Sequence, residues 1–161
     1  MTFSDFIIDG AIITELKAAT KKDAIHEMVQ ALADAGAFGQ EDVQEVASAI
    51  HKREAIGSTG LGSGIAVPHT RKATCVDRVV GAVGICAEPG IDFDSLDGEP
   101  VQAIFMLISS PDVDASKALS YVGNKIKNSE FVSYIKQTKT RKEVKELLVE
   151  ADAGGEDGFG D

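Results

Sequence analysis

Val101 to Ile108, VQAIFMLI, narrows the possible folds most: it is almost continuously apolar, too short for a buried helix and long enough for a strand covered on both faces. A second apolar run, Val79 to Cys86, is rich in valine and stops at Glu88-Pro89-Gly90, which is turn chemistry. Two such strands form a sheet core that needs helices on either side, and the rest of the chain supplies them. Thr20 with Asp23 three residues on reads as a helix start, and Ile25, Met28, Val29 and Leu32 then recur at helical spacing until Gly36. A second helix begins near Gln40, with Val43, Val46, Ala47 and Ile50 on one face and Glu41, Asp42, Gln44 and Glu45 on the other. It delivers His51-Lys52-Arg53-Glu54 to its C-terminal end, where the helix dipole favours cations.

Further along, Ser109-Ser110-Pro111-Asp112 reads as a helix start continued by Ala115, Ala118, Leu119, Val122 and Ile126. Ser129 is the expected cap of a short helix carrying Phe131, Val132 and Ile135, and Thr140 with Glu143 forms a capping box before Val144, Leu147 and Leu148. Near the N-terminus, Phe6-Ile7-Ile8 and Ala11-Ile12-Ile13 flank Asp9-Gly10 and suit two short extended segments or one strand with a turn. Ile91 to Gly98 alternates apolar and acidic residues and closes on an Asp-Gly turn. The pattern predicts one α/β domain over residues 1–149, a mixed β-sheet covered by helices on both faces. Residues 150–161 are acidic and glycine-rich, with Phe159 as their only large apolar side chain, and are expected to form a disordered tail.

With 161 residues and 43% hydrophobic composition there is material for a single core. A formal charge of −10 opposes binding to a phosphate backbone, so nucleic acid is not an expected partner. No apolar run approaches the ~18 to 20 residues that span a bilayer, and the N-terminus lacks the basic start of a signal peptide, so no membrane insertion and a cytoplasmic location are expected. Cys75 and Cys86 are read as reduced.

The chemistry concentrates in Gly57-Ser58-Thr59-Gly60-Leu61-Gly62-Ser63-Gly64-Ile65-Ala66-Val67-Pro68-His69-Thr70-Arg71. Its glycines allow tight turns and close approach, Ile65-Ala66-Val67 reads as a short strand, and Pro68 precedes an imidazole at the strand end. Hydroxyls, backbone N–H groups, Arg71 and the upstream Arg53 form the inventory that a transient anion at His69 would call for. Neither G-x-x-x-x-G-K-[ST] nor G-x-G-x-x-G is satisfied, so a nucleotide cradle is disfavoured. His26 reads as a surface residue, and His51 as a helix-end cation or a group supporting the site. Three histidines and two cysteines are scattered without metal-ligand spacing, so neither metal nor cofactor is called for. Cys86 in an apolar run lacks the lowered pKa of a nucleophile, and Ser63 lacks the G-x-S-x-G elbow.

From Gly57 to His69 the sequence resembles the type-2 enzyme IIA domains of the bacterial phosphoenolpyruvate-dependent phosphotransferase system, the fructose, mannitol and nitrogen-regulatory group. The resemblance extends from about Phe3 to Val149, through Arg53-Glu54-Ala55-Ile56-Gly57, Gly90 to Gly98 and the strand ending in Ile108. It implies that His69 accepts a phosphoryl group from the phosphocarrier HPr or its nitrogen-branch counterpart, with Arg53 holding that group. Thr59, Gly60, Ser63, Thr70 and Arg71 are the further binding residues expected around it. One departure stands out. The family usually places a second histidine at the start of the helix after the central strand, and Asp112 to Leu119 contains none, Ala115 being the nearest match and Ser116 or Lys117 the available substitutes. The expected function is a phosphoryl carrier of the stand-alone nitrogen-regulatory type. Two alternatives remain open: a regulatory module that binds a target protein with little onward transfer, or a sugar-specific component serving a separate IIB protein.

Overall fold

The computed structural model describes residues 1–154. A six-stranded mixed sheet forms its centre, in the order β1-β5-β6-β3-β2, with β4 also paired to β6. The strands are β1 (Ile7–Leu16), β2 (Gly60–Gly62), β3 (Ile65–Ala66), β4 (His69–Thr70), β5 (Val80–Cys86) and β6 (Ala103–Ile108). The two apolar runs became β5 and β6, which pair antiparallel at the middle of the sheet, as Val83 opposite Phe105 shows. Every residue of β6 is buried, so the absence of polar alternation in its sequence reflects two covered faces.

Alternation along the strands divides these side chains between two cores. Ile104, Met106 and Ile108 of β6 face one side, where they meet α2 (Lys21–Asp34) and α3 (Val43–Ile56) through Met28, Leu32, Val46 and Ile50. Ala103, Phe105 and Leu107 face the other. There they meet α1 (Phe3–Phe6), α4 (Ser116–Lys125), α5 (Ser129–Gln137) and α6 (Arg141–Ala153). Phe3 is the hub of this second core, stacked on Phe105 and Phe131 and edge-on to Tyr121 with centroids 4.9 Å apart. Helices therefore cover both faces, as the sequence implied.

Several local expectations shift. The residues around Asp9-Gly10 form a single strand, β1, with register shifts against β5 between Ile7 and Ile12 and between Ile13 and Leu16. Thr20 caps α2 by accepting from the Asp23 N–H at 3.2 Å, and Thr140 with Glu143 caps α6. For α5 the cap is Asn128, one residue before the expected Ser129, because the Asn128 side-chain oxygen reaches the N–H groups of both Glu130 and Phe131. Ser109 to Asp114 is a connection, and the helix expected there starts only at Ser116. Ile91 to Gly98 is a loop closed by the bridge between Ile91 and Val101.

The domain boundary expected after Val149 also moves, because α6 runs to Ala153. Ala151 is fully buried, and both oxygens of Asp152 satisfy the start of α1, accepting from Phe3 N–H at 2.8 Å and Ser4 N–H at 3.1 Å. The Tyr121 hydroxyl donates to the same carboxylate at 2.6 Å. A carboxylate at a helix N-terminus meets unpaired N–H groups and the positive end of the helix dipole, so an acid that looks like tail in sequence closes the fold. The remaining tail residues, 155–161, lie outside the described residues.

Replacing Asp152 with Ala removes the carboxylate that accepts from the Phe3 and Ser4 N–H groups and the Tyr121 hydroxyl and is expected to cost about 1 to 3 kcal/mol. In a chain of this size that lowers Tm by roughly 3 to 10 °C. Truncation after Val149 should be at least as damaging, and thermal unfolding that leaves Tm within a degree of the parent would contradict the assigned role.

Candidate functional site

Pro68 has no N–H to offer a neighbouring strand, and the chain uses it as the break between β3 and β4. Both short strands lie parallel along the same edge of β6. Ile65 pairs with Ala103 and Ala66 with Ile104, and after the break His69 pairs with Leu107 and Thr70 with Ile108. The register is kept across the break, helped by the Leu107 N–H donating to the Pro68 carbonyl at 3.1 Å. His69 is thus fixed to the most deeply buried strand of the sheet while remaining half-buried itself.

The imidazole is oriented from behind. Its Nδ1 lies 2.9 Å from the Val67 carbonyl oxygen. A carbonyl only accepts, so Nδ1 carries the hydrogen and, in the neutral ring, Nε2 carries the lone pair. His69 lines a half-open cleft of about 590 Å³ whose other walls are Glu45, Ser48, Ala49, Lys52, Arg53 and Ile56 of α3 and the Thr70-Arg71-Lys72 segment. Arg53 is half-buried and its Nη1 donates to the Gly57 carbonyl at 2.8 Å, a bond that curls the guanidinium over the end of α3. Thr70 is buried, and its hydroxyl accepts from the Lys72 N–H at 3.1 Å, which bends the chain after β4.

Next to Arg53 is Glu54, 7% exposed, whose carboxylate is satisfied three ways. Lys21 of α2 pairs with it at 2.8 Å, the Thr59 N–H donates at 3.2 Å, and the Thr59 hydroxyl donates to its other oxygen. Removing one partner from such a buried group costs more than the pair contributes, so the three hold together. In this way α2, the last turn of α3 and the entry to β2 are fastened at one point.

Of the residues expected at the site, the structure brings His69, Arg53, Thr70 and Arg71 to one cleft. Thr59, Gly60 and Ser63 do not line it. The amide of Thr59 is committed to Glu54, that of Gly60 to the Ser58 hydroxyl at 2.9 Å, and that of Ser63 to Asp97 at 2.9 Å. The glycines answer to the hairpin instead. Ser63 and Gly64 have φ of 58° and 80°, a two-residue turn joining β2 to β3, and Lys136 of α5 donates to the Ser63 carbonyl at 3.0 Å. Gly60 has no room for a side chain, since a Cβ there would collide with Ser95.

Lys52, Lys72 and Ile56 line the cleft and were not singled out in the sequence. The spacing of Ser48, Lys52 and Ile56, with Ala49 and Arg53, marks one helix face and was available as a signal. His51 points elsewhere, into a depression between α2 and α3 that it shares with Lys22 and His26. Burial, and then the charge of Lys22, hold its pKa below the ordinary 6.5. Where the family's second histidine would stand, Ala115 is 3% exposed and is the residue before α4. The nearby Asp114 has its carboxyl lowered by hydrogen bonding to Ser116 and, more weakly, by Arg71 and Lys117. Among the described residues no group of three or more His, Cys, Asp or Glu could hold a metal ion, and no helix is long and apolar enough to cross a membrane.

Residues 5–151 match the family model described as "Phosphoenolpyruvate-dependent sugar phosphotransferase system, EIIA 2". The chain belongs to this family. With it, the chain is a IIA component of the phosphotransferase system, a family of phosphoryl carriers. It is 27% identical over 150 residues to a nitrogen regulatory protein of Bradyrhizobium diazoefficiens, covering 92% of this chain and 95% of the relative. A fructose-specific EIIA component of Haloferax volcanii is 29% identical over 141 residues, with coverage of 86% and 89%. Among solved structures, the nitrogen regulatory protein IIA-Ntr of Neisseria meningitidis matches with a TM-score of 0.76 at 27% identity, covering 91% of this chain and 98% of that one.

Both cysteines of this IIA chain are free and partly buried. Burial, with a smaller push from Glu27, raises the Cys86 thiol from the ordinary 9.0 to about 12, and burial, then Asp42, also raises Cys75. Only the thiolate reacts, so at pH 8 Cys86 of the folded protein should be alkylated roughly a thousandfold more slowly than an exposed thiol. Mass mapping after iodoacetamide treatment checks this, and rapid native labelling of Cys86 would contradict the burial assigned to it.

Proposed function

We propose that this IIA chain accepts a phosphoryl group from an HPr-type phosphocarrier on Nε2 of His69, and that it is of the nitrogen-regulatory type. The observation that carries the reading is the fixed imidazole: Nδ1 is held by the Val67 carbonyl, leaving Nε2 for a cleft that also contains Arg53 and Arg71.

The transfer follows from that geometry. The Nε2 lone pair attacks phosphorus in line as the P–N bond of the donor phosphohistidine breaks, and the donor imidazole keeps the bonding electron pair. Positive charge that develops on the His69 ring is stabilised through Nδ1–H by the carbonyl it already faces. Negative charge spread over the phosphoryl oxygens is matched by guanidinium forks from Arg53 and Arg71, which suit a planar array of acceptors better than an ammonium does. No proton has to leave the ring. Catalysis is positioning and electrostatics, and the Lys21–Glu54–Thr59 fastening keeps the Arg53 turn still while the group arrives.

Similarity over nearly the full length to a nitrogen regulatory protein and to a IIA-Ntr structure supports the regulatory branch. In that role the phosphorylation state of His69 governs binding to a target protein. The fructose-specific relative favours a second reading, in which the group passes on to a separate IIB protein. Onward transfer to a supplied IIB protein separates the two.

Incubation with phosphoenolpyruvate, enzyme I and a matching carrier should give an acid-labile adduct that His69→Ala abolishes. Labelling that survives in His69→Ala but is lost in His26→Ala or His51→Ala would overturn the assignment. Arg53→Ala should slow uptake by about ten- to a thousandfold, equivalent to roughly 1.4 to 4 kcal/mol of barrier. Arg53→Lys should recover only part of that, because one ammonium cannot reproduce the fork.

A further inference from the structure

We infer that the carrier that docks on His69 presents an acidic face, and that Lys52 and Lys72 receive it with Ile56 of the same cleft as the apolar anchor. The inference rests on the reading of His69 as the phosphoryl acceptor and names the chemistry of its donor.

Four cations line the cleft, Lys52, Arg53, Arg71 and Lys72, against one lining carboxylate, Glu45. Asp114 stands near enough to Arg71 to feel its charge, and Lys117 beside it offsets that acid. None of the four cations forms an ion pair among the described residues, where the ion pairs are those of Lys21, Lys142 and Lys145. A phosphoryl group needs about two positive charges, and the two guanidiniums supply them. The two lysines are surplus to the chemistry. Both are exposed, one on α3 and one after β4, and an exposed ammonium is a hydrated point charge suited to the rim of an interface.

The rest of the chain makes this surplus informative. The protein has 16 Lys and Arg and 26 Asp and Glu, so outside the cleft lining twelve basic residues stand against 25 acids. A basic carrier would be attracted to the surface at large and repelled where transfer has to occur. An acidic carrier is repelled by the net charge of the chain and attracted to the cations around His69, so charge helps to orient the encounter. Ile56 completes the region. It is 84% exposed at the last residue of α3 and lines the same cleft, which gives a partner an apolar contact beside the lysines.

Two phosphorylated HPr-type donors test this, one carrying Asp and Glu around its phosphohistidine and the same protein with those residues changed to Lys. Phosphoramidate, a small donor with no docking face, reports on His69 alone. The acidic donor should transfer at least tenfold faster than the lysine form at low ionic strength, and its advantage should shrink as salt is raised. The double variant Lys52→Glu, Lys72→Glu should lose most of that advantage, Lys52→Arg, Lys72→Arg should keep it, and labelling by phosphoramidate should change by less than about threefold in either. Equal rates from the two donors, or a Glu variant as fast as the parent with the acidic donor, would overturn the docking inference while phosphoramidate labelling left His69 in place. Failure of phosphoramidate to label His69 in the parent protein would overturn the acceptor reading, and the docking inference with it.

Discussion

The parallel pairing of the β3–β4 edge with β6 is the contact on which the rest of the site depends. β6 is buried along its whole length between two cores, so it cannot shift without disturbing both. By pairing with Leu107, His69 inherits that rigidity, and Pro68 interrupts the edge without losing the register. A histidine on a free loop would need its own restraints to hold one tautomer and one direction. Here the Val67 carbonyl, in the same short segment, supplies them at 2.9 Å.

Arg53 reaches the same cleft by a different route. The last turn of α3 is held by the buried Glu54, tied both to Lys21 of α2 and to Thr59 at the entry to β2. Such a network is stable only when complete, since each partner left alone would be a buried unpaired group. Its position one residue from Arg53 means that the guanidinium and the strand edge holding the imidazole are set by separate anchors that meet at the cleft. Rigid placement of both partners is what makes a transfer that depends on alignment efficient.

The centre of the fold was legible because its strands announce themselves: an eight-residue apolar run has few other uses, and β6 and β5 sit where the runs are. Helices with Thr caps were equally readable, whereas Asn128 took the capping role from its neighbour because a cap is decided by one side-chain direction that composition does not encode. Asp152 was misread for a related reason. Its partners, Phe3, Ser4 and Tyr121, are far away in sequence, and an acid among glycines and alanines gives no local sign of them. At the site, His69 and Arg53 could be found from the motif they flank. Thr59, Gly60 and Ser63 belong to the same motif, yet their roles are to fasten Glu54, to admit Ser95 and to turn a hairpin, and sequence spacing does not separate residues that touch a ligand from those that shape the backbone beside it.

The account stands or falls on the nitrogen of His69 that is free to react. Long-range nitrogen–proton NMR of the ¹⁵N-histidine-labelled protein, before and after phosphorylation, reads this directly. The account predicts that His69 in the free protein holds its hydrogen on Nδ1 and that phosphorus–nitrogen coupling in the phosphorylated protein appears at Nε2 with Nδ1 still protonated. Phosphorus on Nδ1 of His69, or on His26 or His51, would contradict it.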